Sequence, residues 1–353
     1  MAQQQQHVVR LEKRPVGKPV PGQDLVYQEA PMPSEDDLKD GEVLIKNVYL
    51  TLDPAMRGWM MDRKSYMPPV ELGAIMRGSS VGQVMASCDS SLQEGDWVLC
   101  RIEVGWAEYG IAEASKVTKI DISDDIPASV HLGALGTTGL TAYFGLIEIG
   151  QPKEGDTIVV SAAAGATGSM VCQIAKHVFG CRVIGIAGGS EKCQWLIDDL
   201  GVDEAIDYKQ DEGEDFARAL RKACPDGVDI YFDNVGGWIL NEVFKQINFK
   251  ARIVVCGAIS GYNNTTPAPG PSAYTQLIIT SSRMEGFIVS NYAKRFKEAK
   301  EDLTGWLKEG KITYKEDVIH GLSKAPRAFL KLFGEDGGNR GRIIIDIHAE
   351  DQD

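Results

Sequence analysis

The sequence predicts an α/β fold in which a doubly wound parallel sheet accompanies a smaller, irregular β-barrel. Three observations predict it. Short strands separated by glycine- and aspartate-containing turns fill the first third of the chain. From about residue 135, short apolar strands alternate with amphipathic helices. One of those strands runs into a glycine-rich turn that opens a helix, which is typical of a nucleotide-binding sheet.

Length, charge and composition exclude several classes of protein. At 353 residues the chain is long enough for two domains that share an interface. The net charge of −13 argues against binding nucleic acid or anionic lipid, because both need a basic surface. No apolar stretch reaches the ~20 residues of a membrane-spanning helix, and residues 1–7 lack the pattern of a signal peptide. We therefore expect a cytoplasmic protein whose residues 1–7 form a frayed tail.

The strands of the first third follow from their apolar patterns. Residues 43–50 mix alternation with a near-continuous apolar run, as a half-buried to fully buried strand does. Residues 81–86, 96–102 and 109–120 are further predicted strands. The turn Glu94-Gly95-Asp96 separates two of them.

The second region predicts six strands that are mostly apolar on both faces, as expected of a sheet covered on both sides. They are residues 157–162, 182–187, 204–208, 228–233, 252–257 and 284–289. The helix after the first strand places Val171, Ile174, Ala175 and Val178 on one face and ends at Gly180. A last strand at 342–347 can rejoin the first domain, which would leave the α/β region as an insertion.

The glycine-rich turn predicts a dinucleotide site. Ala163, Gly165 and Gly168 stand at the spacing A-x-G-x-x-G, between a strand and a helix. Gly165 lets a pyrophosphate approach the backbone, and Gly168 lets the helix pack closely on the strand. The backbone from Gly165 through Ala166 and Thr167 to Gly168 would then hold the anion with N–H groups and the helix dipole.

The end of the second strand of this region favours NADPH over NADH. An NAD site has a carboxylate there, about 20 residues beyond the glycines, to hold the ribose 2′-hydroxyl. This chain has Gly188-Gly189-Ser190, and the nearest acid, Glu191, is followed by Lys192. A lysine can neutralise a 2′-phosphate. The alternative is that Lys192 is a solvated lysine at a helix start.

The cysteines and histidines predict no metal site. There are seven cysteines, with no C-x-x-C pair, and five histidines, none at ligand spacing from a cysteine in the first domain. An odd number of cysteines, several of them in apolar runs, indicates buried, reduced thiols. A G-x-S-x-G nucleophile motif is also missing from the sequence, so hydrolase chemistry has no support.

Six segments carry a resemblance to a known family. They are Leu-Asp-Pro-Ala-Met-Arg-Gly at 52–58, Gly-Leu-Thr-Ala-Tyr at 139–143, Ala-Ala-Gly-Ala-Thr-Gly-Ser at 163–169, Asp-Asn-Val-Gly-Gly at 233–237, Cys-Gly-Ala-Ile-Ser at 256–260 and Asn-Arg-Gly at 339–341. In this order they resemble the zinc-independent medium-chain dehydrogenase/reductases, in the branch of the prostaglandin, alkenal double-bond and bacterial curcumin reductases. One departure is Ala55, where the family often has tyrosine, and the smaller side chain is expected to reshape the pocket.

The resemblance implies a fold, a cofactor site and an assembly. It implies a GroES-like domain at 1–134 and 314–353, a Rossmann domain at 135–313, NADPH in the cleft between them, and a homodimer. Lys192 and Tyr208 would hold the 2′-phosphate end. The residues implied to line the ribose and nicotinamide are Asn234, Cys256, Gly257, Ala258, Ile259, Ser260, Phe287, Ile288, Val289 and Asn339.

The reaction expected from this resemblance is reduction of a C=C bond conjugated to a carbonyl. NADPH would deliver hydride to the β-carbon of an α,β-unsaturated aldehyde or ketone, and a hydrogen-bond donor would stabilise the enolate oxygen. Tyr262 is the first candidate donor, and its alternative role is packing. Tyr66 either caps the pocket or lies in a surface loop. Arg57 either pairs with an acidic substrate group or forms a structural salt bridge.

Two other functions remain open from the sequence. A quinone reductase shares the fold and lacks zinc, and turnover of a simple quinone but not of alkenals would identify it. A non-catalytic NADPH-binding protein would bind the cofactor without turnover. Residues 261–272, rich in Asn, Thr and Pro, form either a lid or a merely mobile loop.

Overall fold

The computed structural model describes residues 4–210 and 213–349, and the chain divides into two compact units. The first unit consists of Met1–Leu132 with Glu316–Asp353, and the second consists of Gly133–Lys315. Within the described residues, the helices are all too short or too polar to cross a membrane.

Strands and helices are numbered along the whole chain. The strands are β1 (Gln5–Leu11), β2 (Leu25–Pro31), β3 (Glu42–Thr51), β4 (Ser80–Ser87), β5 (Trp97–Cys100), β6 (Tyr109–Glu113), β7 (Thr118–Lys119), β8 (Thr157–Ser161), β9 (Arg182–Ala187), β10 (Glu204–Asp207), β11 (Val228–Asp233), β12 (Ile247–Val255), β13 (Arg283–Gly286), β14 (Glu316–His320) and β15 (Arg342–Asp346). The α-helices are α1 (Met56–Trp59), α2 (Thr137–Phe144), α3 (Ala166–Gln173), α4 (Ser190–Asp198), α5 (Glu214–Ala223), α6 (Gly237–Phe244), α7 (Gln276–Ile279), α8 (Phe296–Lys308) and α9 (Ala325–Lys331).

The first unit is built on a mostly antiparallel sheet in the order β14-β15-β3-β4-β5-β7, with β6 also paired to β3. The C-terminal strand β15 runs antiparallel to β3, with Ile345 opposite Leu50. Both of these side chains are fully buried, in a core that also contains Trp106 and Phe329. The tail therefore rejoins the first unit, and the second unit is an insertion between them.

The second unit contains a six-stranded parallel sheet in the order β10-β9-β8-β11-β12-β13. Every residue of β8 is buried, because helices cover both faces of such a sheet. The chain leaves β8 first towards β9 and later towards β11, so the direction of winding reverses beside β8. Ligands bind at that reversal, at the carboxyl ends of the strands. The α/β prediction with an inserted doubly wound sheet is confirmed.

Three local predictions differ from the structure. Residues 109–120 form two strands rather than one, because a 3₁₀ turn at Ala114–Lys116 separates β6 from β7. The predicted strand 284–289 ends at Gly286, so residues 287–289 lie beyond it. The prediction of a frayed tail is wrong for residues 5–7, because these residues begin β1. The His7 ring stacks on the Tyr27 ring, with centroids 4.8 Å apart. The rest of the expected tail, residues 1–3, lies outside the described residues.

Candidate active site

The predicted nucleotide turn is a tight connection between β8 and α3. Ala162 has a φ of 48°, and its carbonyl accepts a 2.9 Å hydrogen bond from the N–H of Gly165. A Cβ on Gly168 would stand 2.8 Å from the Cα of Ala163 and against the Ala162 carbonyl. Only glycine fits at 168, and the start of α3 consequently packs close to the end of β8. The first N–H groups of a helix lack partners within it, so this turn suits a phosphate.

The residues predicted to hold the 2′-phosphate lie where β9 and β10 end. The ring of Tyr208 packs against Gly188, where an added Cβ would stand 2.9 Å from three of its atoms. Burial raises the pKa of Tyr208, and the nearby Asp207 raises it further, so the phenol stays neutral at pH 7. Lys192 lies in the first turn of α4, and its backbone N–H donates to the carbonyl of Gly189. The backbone of Lys192 and the ring of Tyr208 thus both contact the Gly188-Gly189 turn.

A buried carboxylate that was not among the predicted site residues holds together the ends of two neighbouring strands. Asp233, only 1 % exposed, ends β11. Its Oδ1 accepts hydrogen bonds from Ser161 Oγ (3.1 Å), Tyr231 Oη (2.9 Å) and the backbone N–H groups of Val235 (2.9 Å) and Gly236 (2.8 Å). Burial raises the pKa of Asp233, and these hydrogen bonds oppose the rise. The carboxyl group joins the ends of β8 and β11.

Asn234 strengthens the same junction. Its side-chain Nδ2 donates to the Ser161 carbonyl at 2.7 Å, and its backbone N–H donates to Ser161 Oγ at 2.9 Å. The backbone carbonyl of Asn234 accepts from the N–H of Ile259 at 3.2 Å. This predicted residue therefore connects β8 to the segment that follows β12.

The segment 256–262 is held at the carboxyl end of the sheet by its own backbone. The N–H groups of Cys256 and Gly257 donate to the carbonyl of Asp233, at 2.9 and 3.0 Å. Farther on, the N–H of Ala258 donates to the hydroxyl oxygen of Tyr262 at 3.2 Å. Tyr262, the predicted donor, thus lies in the same loop as the predicted residues 256–260.

Two features of the remaining predicted residues in this unit limit their chemistry. Burial raises the pKa of the Cys256 thiol to about 12, so it stays protonated at pH 7 and is not a nucleophile. Beyond β13, the Phe287 ring packs on Gly145, where an added Cβ would stand 2.6 Å from its Cζ. Of the two residues that follow it, Ile288 is exposed and Val289 is half-buried.

Three predicted site residues belong to the first unit. Tyr66 is 55 % exposed, and its hydroxyl accepts a 2.8 Å hydrogen bond from Trp59 Nε1. Arg57 is 2 % exposed, and its guanidinium donates to the backbone carbonyls at 15 and 17. Those bonds to backbone carbonyls favour the structural role. Asn339 Nδ2 donates to the carbonyl of Gly341 at 2.7 Å.

The Asp-Pro segment contains a buried ion pair that sequence reasoning missed. Asp53 receives two hydrogen bonds from Arg342, Nη1 to Oδ1 at 2.6 Å and Nη2 to Oδ2 at 2.9 Å. Arg342 is 4 % exposed and begins β15. This ion pair links the start of the C-terminal strand β15 to the segment that follows β3. No spacing in the sequence indicates a partner 289 residues away.

Comparisons with known proteins show which family the chain belongs to. A family model described as the N-terminal domain of oxidoreductase matches residues 7–120, and one described as zinc-binding dehydrogenase matches residues 166–305. The chain is 48 % identical to the putative NADP-dependent oxidoreductase YfmJ of Bacillus subtilis, over 98 % of both chains. It is 43 % identical to the NADPH-dependent curcumin reductase of Escherichia coli, over 99 % of this chain and 100 % of that one.

A solved structure extends the similarity to three dimensions. CurA from Vibrio vulnificus in complex with NADPH superimposes with a TM-score of 0.88 and 44 % identity, over 98 % of this chain and 100 % of that chain. The chain belongs to the zinc-independent medium-chain dehydrogenase/reductases. The second family description mentions zinc, but across residues 4–210 and 213–349 no three His, Cys, Asp or Glu side chains are grouped to hold a metal. The predicted family and enzyme class, an oxidoreductase, are confirmed.

Proposed function

We propose that this medium-chain reductase uses NADPH to reduce C=C bonds conjugated to a carbonyl. The observation that carries the proposal is the loop after β12, where Tyr262 is held by the N–H of Ala258 at the carboxyl end of a nucleotide-type sheet. The relatives named for curcumin and for NADP support it, because curcumin contains C=C bonds conjugated to carbonyls.

The residues present fit NADPH. The glycine turn from Gly165 to Gly168 offers helix N–H groups to the pyrophosphate. The Gly188-Gly189 turn places no carboxylate at the end of β9, and Lys192 supplies a positive charge for a 2′-phosphate. The NADPH complex of the CurA relative, which is 44 % identical, supports the same cofactor. When bound, NADPH supplies the hydride for the substrate β-carbon.

Tyr262 is the donor to the carbonyl oxygen in this proposal. The hydrogen bond from Ala258 uses an acceptor site of the phenol oxygen and not its proton. A hydroxyl that accepts a hydrogen bond becomes a better donor, because consecutive hydrogen bonds polarise one another. Negative charge develops on the substrate oxygen during reduction, so a donor aimed there stabilises the transition state more than the ground state.

The first unit contributes less direct chemistry. The Trp59 hydrogen bond fixes the orientation of the exposed Tyr66 ring, which suits a cap on an apolar substrate. Arg57 supports the backbone at 15–17 through three hydrogen bonds and has a structural role here. The role of Asn339 in cofactor binding stays a prediction, and its side chain donates to the carbonyl of Gly341.

The second unit also suits a homodimer. β13 is the last strand of its sheet, and all its residues are exposed. Large apolar side chains are exposed around that edge, including Ile278 (79 %), Ile279 (69 %) and Met284 (37 %). An edge strand with an apolar border favours pairing with another strand, and a second copy offers the same strand. Sedimentation analysis of Met284→Lys against the wild type tests this assembly, with a shift to monomer expected.

The reductase proposal is tested by NADPH oxidation with a 2-alkenal, an aryl enone, a simple quinone and a saturated ketone, with NADH and a chelator as controls. We expect turnover of the alkenal and enone that prefers NADPH and ignores the chelator, and NMR of the product showing a saturated C–C bond beside an intact carbonyl. Turnover of the quinone alone would assign a quinone reductase. Cofactor binding without any turnover would assign a binding protein.

A further inference from the structure

A carboxylate beside the 2′-phosphate corner has no role in the reaction described above. Asp207 is the last residue of β10 and pairs in register with Ala187, the last residue of β9. Its Oδ1 accepts hydrogen bonds from the backbone N–H groups of Gly189 (2.8 Å) and Lys209 (3.0 Å). The carboxylate therefore connects the end of β10 to the turn that follows β9.

Gly189, which Asp207 holds in this way, precedes helix α4, and α4 contains Lys192. Gly189 is the N-cap of α4, with φ 102° and ψ 141°, a conformation that residues other than glycine rarely adopt. The carbonyl of Gly189 accepts the first N–H groups of the helix, from Lys192 and Cys193. Fixing Gly189 consequently fixes where α4 begins and where Lys192 leaves the backbone.

The hydrogen bonds rather than the negative charge explain the position of Asp207. Its Oδ2 is buried and has no hydrogen-bond partner among the residues that the structure describes. The single oxygen Oδ1 accepts both backbone N–H groups. An asparagine in the same orientation keeps that oxygen.

We propose that Asp207 is a positioning residue for NADPH, which holds the Gly189 turn so that Lys192 meets the 2′-phosphate. The inference rests on the proposed NADPH-dependent function. It concerns only the phosphate end of the cofactor, because NADH lacks the group that Lys192 would bind. Removal of the Oδ1 acceptor is therefore expected to weaken NADPH binding selectively.

The test measures Kd for NADPH and NADH by fluorescence titration of the full chain, with adenosine 2′,5′-bisphosphate and 5′-AMP as competing fragments. Asp207→Ala is expected to raise the Kd of NADPH and of the bisphosphate by about tenfold, while the Kd values of NADH and 5′-AMP change less than about twofold. Asp207→Asn, which keeps Oδ1, is expected to recover most of the loss. If the alanine variant does not fold, Asp207→Glu displaces the carboxylate by one methylene and is expected to show the same selective loss.

Asp203 provides a matched control at the opposite end of β9. Its Oδ2 accepts a 2.8 Å hydrogen bond from the N–H of Val183, and its Oδ1 accepts a 2.7 Å bond from Lys176 Nζ. Asp203→Ala therefore removes a similar backbone bond, together with an ion pair, far along the strand from the Gly189 turn. We expect that control to lower the unfolding temperature and keep the NADPH-to-NADH ratio. Equal losses for both cofactors in Asp207→Ala, or no loss, would overturn the inference. A wild type without preference for NADPH would instead overturn the proposed function.

Discussion

Replacing Tyr262 with phenylalanine separates the catalytic role of its hydroxyl from a packing role. The hydroxyl oxygen of Tyr262 accepts a hydrogen bond from the N–H of Ala258, at 3.2 Å. Ala258 is exposed, so water can replace the lost acceptor and the cost in stability should stay below about 1 kcal/mol. Loss of a donor to a developing oxyanion, by contrast, lowers kcat by about 100-fold, or about 2.7 kcal/mol.

The assay is steady-state turnover of an aryl enone at saturating NADPH, alongside thermal unfolding of the same preparations. Tyr262→Phe should lower kcat by about 100-fold, with the NADPH KM and the unfolding temperature nearly unchanged. Tyr274→Phe, a matched exchange at a 58 % exposed tyrosine of the same unit, should behave as wild type. A kcat within about twofold of wild type would refute the donor role. Parallel losses of activity and stability would assign Tyr262 to packing.

Three further predictions follow from the buried groups. Gly168→Ala should weaken NADPH binding by at least about tenfold in a fluorescence titration, because its Cβ would collide with the backbone at Ala162 and Ala163; an unchanged affinity would contradict the close packing. Asp53→Ala should cost about 3–5 kcal/mol in urea unfolding because it leaves Arg342 buried and unpaired, and adding Arg342→Met should recover part of that loss. Raising the pH from about 4 to 8 should increase the stability of Asp233→Asn relative to wild type, because the raised pKa of Asp233 means that the wild type loses stability as the pH rises through that pKa. A difference that does not depend on pH, measured by thermal unfolding, would show that Asp233 does not titrate in this range.

The glycine turn between β8 and α3 was predictable because its signals are local. The turn from Ala163 to Gly168 needs small residues where a helix starts beside a strand end, and that requirement appears within eight residues of sequence. The absence of a carboxylate at Gly188-Gly189 is equally local. The carboxyl ends of parallel strands lie at one edge of the sheet. Predicting the strands was therefore sufficient to predict that these two turns lie at the same edge.

The missed residues depend on partners far along the chain. Ser161 and Asp233 are 72 residues apart and meet only because β11 pairs directly with β8. Asp53 and Arg342 meet because the C-terminal strand returns to β3. Aspartates at strand ends are common, and neither sequence pattern distinguishes a buried acceptor of several hydrogen bonds from a solvated turn residue. Only the order of strands in the sheet shows which of these aspartates is buried beside its partners.

The return of β15 to β3 has a consequence for the order of synthesis. Domains generally fold as units from the N-terminus while the chain is made, but here the N-terminal unit lacks two strands until residues 316–346 have been added. The inserted unit, Gly133–Lys315, is complete before them. The second unit in the sequence is therefore the first that can finish folding. The edge of β3 that pairs with β15 stays unpaired until the last part of the chain has been made.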